Sequence, residues 1–108
     1  KFTKIAKVTI GSSVTKIGSR AFYGCKSITA LSISGDVRTF GKQSFYGCKK
    51  LKKAIFKGKK VPTFGSKAFK GTPSNITVTL NKKMNKKDKA RIKARLYKVG
   101  VTKKAKIK

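Results

Sequence analysis

Apolar positions in this chain recur as a spaced triplet, apolar-x-x-apolar-x-apolar. Ile28, Leu31 and Ile33 form one triplet, and Leu51, Ala54 and Phe56 form the next, 23 positions on. Ile5, Val8 and Ile10 stand 23 positions before the first. Val78 and Leu80 follow Ala54 and Phe56 by 24, with the leading anchor slipped to Ile76 or Asn75 after a Thr72-Pro73 step. The alternation that ends each triplet predicts a short, half-buried strand. Three or four such strands side by side predict a parallel sheet roughly 15 Å wide.

Turn-forming residues follow each triplet: Gly11-Ser12-Ser13, Ser34-Gly35-Asp36 and Lys57-Gly58-Lys59-Lys60. A shorter apolar pair comes next, Val14/Ile17, Val37/Phe40 and Val61/Phe64, and predicts a brief extended segment on an opposite wall. A nine-residue phrase then closes the unit. It reads Ile17-Gly18-Ser19-Arg20-Ala21-Phe22-Tyr23-Gly24-Cys25, and returns as Phe40-Gly41-Lys42-Gln43-Ser44-Phe45-Tyr46-Gly47-Cys48. It returns in weaker form as Phe64-Gly65-Ser66-Lys67-Ala68-Phe69-Lys70-Gly71-Thr72, the offsets being 23 and then 24. A period of this size predicts a solenoid, in which each unit closes its core only against its neighbours. Residues 19–22 and their equivalents are expected to make about one helical turn, too short to stand alone. Gly24, Gly47 and Gly71 are expected to supply a left-handed backbone. Phe22, Phe45 and Phe69 should stack as a column, each ring contributing on the order of 2–3 kcal/mol by burial.

Cys25 and Cys48 occupy the same slot in adjacent units, and Thr72 takes it in the third. The preferred reading is a buried, reduced thiol or a hydroxyl bonded to the backbone of a neighbouring winding. A disulfide is the alternative, and metal or redox chemistry a weaker one. No His completes a zinc set, and the cysteine spacing is 23 rather than the short step of a zinc motif.

The pattern breaks after Leu80. Residues 81–108 carry thirteen Lys and Arg against one acid, Asp88. Asn85 with Asp88 three residues on reads as a helix N-cap, and helix is expected to about Lys98. Met84, Asp88, Ile92 and Leu96 or Val99 form its inward row, with Ala90 and Ala94 placed to allow close approach. Arg95 and Lys98 suit the negative end, and Gly100 suits C′. This helix is the expected terminal cap. Val101, Ala105 and Ile107 are expected to tuck back against the body. The chain therefore divides into residues 1–80, one partial and about three full repeats, and residues 81–108, a basic cap and tail of the same domain.

Composition changes the picture in two ways. Hydrophobic residues make up only 38% of the 108, which suits a thin stack with one apolar column better than a broad core. The charge is +28, from 30 Lys and Arg against Asp36 and Asp88. Such a field favours solubility and attracts polyanions. Only Arg20, Arg38, Arg91 and Arg95 are arginines, and lysine is a hydrated point charge rather than a phosphate-matching fork. No apolar run approaches the roughly 20 residues that cross a bilayer. The chain starts at Lys1, partway into a repeat-like segment, which predicts a preceding portion where any export signal would lie. With no His and two isolated acids, the chain lacks the usual acid–base or nucleophile–base pair, so neither catalysis nor a cofactor or metal is expected.

The units resemble the BspA-type, or Treponema-type, leucine-rich repeats, whose unit runs L-x-x-apolar-x-apolar-P-x-x-V-x-x-I-G-x-x-A-F-x-G-C. The likeness covers about residues 5–80. It is most specific at Val14-x-x-Ile17-Gly18-x-x-Ala21-Phe22-x-Gly24-Cys25-x-x-Ile28 and again from Val37 to Leu51. Thr72 in place of Cys, the shifted third anchor and the missing post-strand Pro depart from it. The resemblance implies a solenoid: a leucine-rich-repeat right-handed superhelix with a short parallel sheet and a C-terminal capping α-helix. It also implies a secreted or cell-surface bacterial protein used in adhesion or protein–protein interaction, with no catalytic residues to carry over.

Two surfaces are candidates. The strand positions between anchors align as Lys7, Ala30, Lys53, Thr77 and as Thr9, Ser32, Ile55, Thr79. Such a flat face of mostly small residues suits an extracellular protein or glycan partner better than a small molecule. The helix offers Lys86, Lys87, Lys89, Arg91, Lys93 and Arg95 to a polyanion such as teichoic acid, sulfated glycan or extracellular nucleic acid. Tyr97 is its only ring, which argues against sequence-specific nucleic-acid binding. A monomer is expected.

Overall fold

Four residues of each winding pair with four of the next, at the register that the repeat offsets dictate. The computed structural model describes residues 6–108; the anchor Ile5 lies outside them. The long strands are β1 (Lys7–Ile10), β3 (Ala30–Ile33), β5 (Lys53–Phe56) and β7 (Thr77–Leu80). Between them run two-residue strands β2 (Lys16–Ile17), β4 (Thr39–Phe40) and β6 (Thr63–Phe64). Helix α1 (Lys86–Lys98) and strand β8 (Lys106–Ile107) end the chain. One sheet has the order β1-β3-β5-β7-β8 and the other β2-β4-β6, and every pairing is parallel. A β-solenoid with a C-terminal helix is therefore the fold.

The apolar triplets face inward. Ile28, Leu31, Ile33, Leu51, Ala54, Phe56, Val78 and Leu80 are buried. The third anchor is Ile76, which is fully buried while Asn75 is exposed. The aromatic column forms as expected: Phe22 stacks on Phe45 at 5.1 Å and Phe45 on Phe69 at 5.3 Å. A second stack stands beside it, Phe40 on Phe64 at 4.9 Å, and Phe40 is wholly buried against both. Val14 departs from its expected place: it is 37% exposed, whereas its equivalent Val37 is buried.

The closing phrase is not a helical turn. Ala21, Tyr23 and Cys25 donate their amides three residues back, to Gly18, Arg20 and Phe22. The amides between them, of Arg20, Phe22 and Gly24, donate instead to Lys42, Ser44 and Tyr46 of the next winding at 2.7–2.8 Å. This alternation needs a left-handed residue in mid-phrase, and Arg20, Gln43 and Lys67 adopt it at φ 53–57°. Gly24, Gly47 and Gly71 supply the second left-handed site at φ 67–86°, as expected. Half the amides thus cross between windings, so each turn contributes to stacking as a strand does.

Glycine before this turn has a different reason. A Cβ on Gly41 would overlap the Ser19 backbone, and one on Gly65 the Lys42 backbone. The windings touch there main chain to main chain.

The two cysteines carry reduced thiols rather than a disulfide. The Cys48 thiol donates to the Phe22 carbonyl at 3.3 Å, a bond to the neighbouring winding of the kind expected. Thr72 differs: its hydroxyl donates to Phe69 within its own winding. Burial, and then the neighbouring Cys25, push the Cys48 thiol pKa up to about 12.

Residues 81–108 contact the last winding at its turn, its long strand and beside its short strand. Asn85 caps α1 by accepting from the Asp88 amide at 2.8 Å. Ile92 and Leu96 are buried against the stack, and Arg95 Nη1 donates to the Pro62 carbonyl at 2.9 Å, one residue before β6. Val99 accepts from the Phe69 amide at 3.0 Å. The Val101 amide donates back to Leu96, which ends the helix as a Schellman turn around Gly100. Lys106 and Lys108 donate to Ile76 and Val78, adding β8 to the long sheet. Ala90 and Ala94, expected to pack closely, are exposed instead. They lie in the row with Lys86 and Lys98, on the side of α1 away from the row Asp88, Ile92, Leu96.

Candidate interaction surface

Each long strand alternates inward anchors with outward residues, so the register lays the outward ones in rows. Lys7 pairs with Ala30, Ala30 with Lys53, and Lys53 with Thr77. Thr9 pairs with Ser32, Ser32 with Ile55, and Ile55 with Thr79. Both rows stand on one sheet face, as the alignment of repeats gives them. Lys7, Lys53, Thr9 and Thr79 are exposed; Ala30, Ser32, Ile55 and Thr77 are half-buried.

The sheet does not stop at β7. Thr77 pairs with Lys106, and the Lys108 amide bonds Val78, so the first row gains Lys106 and the second continues to Lys108. Sequence reasoning missed both. The signal was present in the alternation of Lys104-Ala105-Lys106-Ile107-Lys108, but five residues beyond a helix have no repeat partner to set their register.

The helix cations do not form one face. Lys87, Arg91 and Arg95 make one i,i+4 row, and Lys89 and Lys93 make another with Tyr97, on either side of the Ala90–Ala94 row. Arg91 pairs with Asp88 at 3.5 Å on the exposed surface, and Arg95 is spent on the Pro62 carbonyl. Lys86, Lys87 and Lys93 are exposed and Lys89 is half-buried. An open groove of about 480 Å³ beside α1 and β8 is lined by Leu80, Lys89, Ala90, Lys93, Ile107 and Lys108. It joins the helix to the end of the sheet.

Acids do little to offset this charge. Asp36 Oδ1 accepts from the Lys59 and Lys60 amides at 2.9 and 3.2 Å, tying one turn to the next. Asp88 is held by Arg91. Among the described residues no cluster of His, Cys, Asp or Glu could hold a metal ion, and no helix is long and apolar enough to cross a membrane.

The stacked windings, the inward triplets and the Gly-x-x-Ala-Phe-x-Gly-Cys turn are those of one family. The BspA type leucine rich repeat region matches residues 1–93 in six copies, and the chain belongs to that family. No curated protein and no solved structure matches it. Solenoids of this kind are as a rule binding scaffolds, in which a stacked sheet presents an extended face to a protein partner.

Proposed function

We propose that this chain is a non-enzymatic interaction and adhesion scaffold, secreted or displayed on a cell surface, that binds an extracellular protein. The partner lies across Lys7, Thr9, Ala30, Ser32, Lys53, Ile55, Thr77 and Thr79. One observation carries the reading. The register brings these eight residues onto one face in two unbroken rows. Their side chains are short apart from Lys7, Lys53 and Ile55, so a broad surface can approach the main chain. In this reading residues 1–80 and 81–108 act as one domain, because the cap seals the end of the core that the rows stand on. The charge of +28 keeps copies apart, so the scaffold works as a monomer.

The test is capture of extracellular matrix proteins on the immobilised chain at physiological salt. The double variant Ser32→Glu/Ile55→Glu should lose at least tenfold in retention of whichever protein binds. Equal retention by the variant removes the sheet face from the account.

A second reading, electrostatic attachment to a polyanion through α1, is favoured by the state of its cations. Lys86, Lys87 and Lys93 stand exposed, and among the described residues Arg91 alone of the six faces an acid. Retention on heparin that weakens steeply with salt supports it. No retention at low salt ends it.

A further inference from the structure

We infer that the lysine row across the long sheet is the seat of a linear anionic glycan, a sulfated or uronic-acid polysaccharide. The inference rests on the polyanion reading but moves its main contacts from the helix to the sheet, where the glycan competes with a protein partner for one face.

The row runs Lys7, Ala30, Lys53, Thr77, Lys106, one residue per strand. Lysine therefore falls on alternate strands. With neighbouring strands about 4.8 Å apart, the three ammonium-bearing positions recur at roughly 10 Å over a span of roughly 19 Å. All three are exposed, and the residues between them are short. The adjacent row adds the hydroxyls of Thr9, Ser32 and Thr79 and continues to Lys108. At the end of the sheet the groove that Lys89, Lys93 and Lys108 help to line carries the positive path onto α1.

The chemistry of the face selects among polyanions. No acid or aromatic residue lies in either row. Single-stranded nucleic acid binds on stacking aromatics, which these rows lack. A polysaccharide with anionic groups separated by hydroxyl-bearing sugars matches ammonium groups spaced by the short side chains of Ala30 and Thr77, with hydroxyls in the row beside them. A parallel sheet also offers it a straight path perpendicular to the strands.

The experiment titrates the whole chain with size-defined heparin fragments at several salt concentrations. The triple variant Lys7→Ser/Lys53→Ser/Lys106→Ser is compared with the helix variant Lys86→Ser/Lys87→Ser, and both are checked for an unchanged melting temperature. Affinity should rise with fragment length until the row is spanned. A lysine contributing about 0.7 to the log–log salt slope is worth roughly fourfold at 0.15 M salt, so the triple variant should lose roughly fiftyfold and about two units of slope. The helix variant should lose no more than tenfold. If heparin binds but the triple variant matches wild type, the sheet row is overturned while the polyanion reading stands. If nothing binds at low salt, both fall. Equal or tighter binding of single-stranded DNA or poly-glutamate overturns the assignment to a glycan.

Discussion

The Phe69 amide donates to the Val99 carbonyl at 3.0 Å. Phe22 and Phe45 make the same bond to Ser44 and Ala68, each one winding further on. Val99 therefore stands where the next repeat would place Ser44 or Ala68, although its own segment has no repeat phrase. The end of α1 completes a ladder begun by turns, and β8 completes one begun by strands. The cap is a substitute winding assembled from unlike parts, which covers the turn of the last coil and the first half of β7.

Gly100 makes this substitution possible. Its φ is +121°, and a Cβ there would overlap the Lys70 and Phe69 backbone. Gly100→Ala should cost at least about 2 kcal/mol, since it combines a forbidden dihedral with a main-chain clash. Gly24→Ala is the matched control. Gly24 also has positive φ, at 67°, but nothing lies within 4 Å of its Cβ position, so about 1 kcal/mol is expected. Urea unfolding of the two variants should rank them in that order.

Ser44 is wholly buried, and its hydroxyl has no hydrogen-bond partner among the described residues. Ala21 and Ala68 occupy its place in the other windings. An unpaired buried hydroxyl costs about 1–3 kcal/mol in desolvation. Ser44→Ala should therefore stabilise the chain, by about 1 kcal/mol, with a higher thermal midpoint as the readout. A lower midpoint would mean that the hydroxyl has a bonding role.

Cys48 links folding to alkaline pH. Its ordinary value is 9.0, and burial raises it to about 12 in the folded chain. Above pH 9 the unfolded thiol loses its proton while the native one keeps it, so the native state binds more protons and stability falls as pH rises. The contribution is whole below pH 9 and diminishes between 9 and 12. Deprotonation of many lysines acts in the same range, so the measurement is the stability difference between wild type and Cys48→Ala. That difference should narrow steadily above pH 9. The same burial predicts that Cys48 resists alkylation at neutral pH until the chain unfolds.

The repeat offsets made the two rows and the Phe22–Phe45–Phe69 column legible, because an identical phrase in each unit fixes register as well as fold. Where the unit changes, legibility ends. The left-handed residues Arg20, Gln43 and Lys67 give no sign in the sequence, since only glycine advertises that conformation. Ala90 and Ala94 were placed by helical proximity, yet the buried row is set by Ile92 and Leu96, and the alanines fall opposite. Lys106 and Lys108 join the sheet through a pairing made beyond the helix, and a two-residue strand with no repeat equivalent, unlike β2, β4 and β6, carries too little pattern to announce itself.

Amide hydrogen exchange under native conditions reaches the central claim most directly, which is that windings stack in register and residues 81–108 stand in for the next one. The amides of Phe22, Phe45, Phe69, Lys106 and Lys108 cross between windings or onto the cap, and the account predicts protection for all five. Phe45 and Phe69 should be lost together, at close to the global unfolding free energy. Rapid exchange at Phe69 and Lys106, with Phe45 still protected, would show a stack that ends open, with α1 and β8 detached from it.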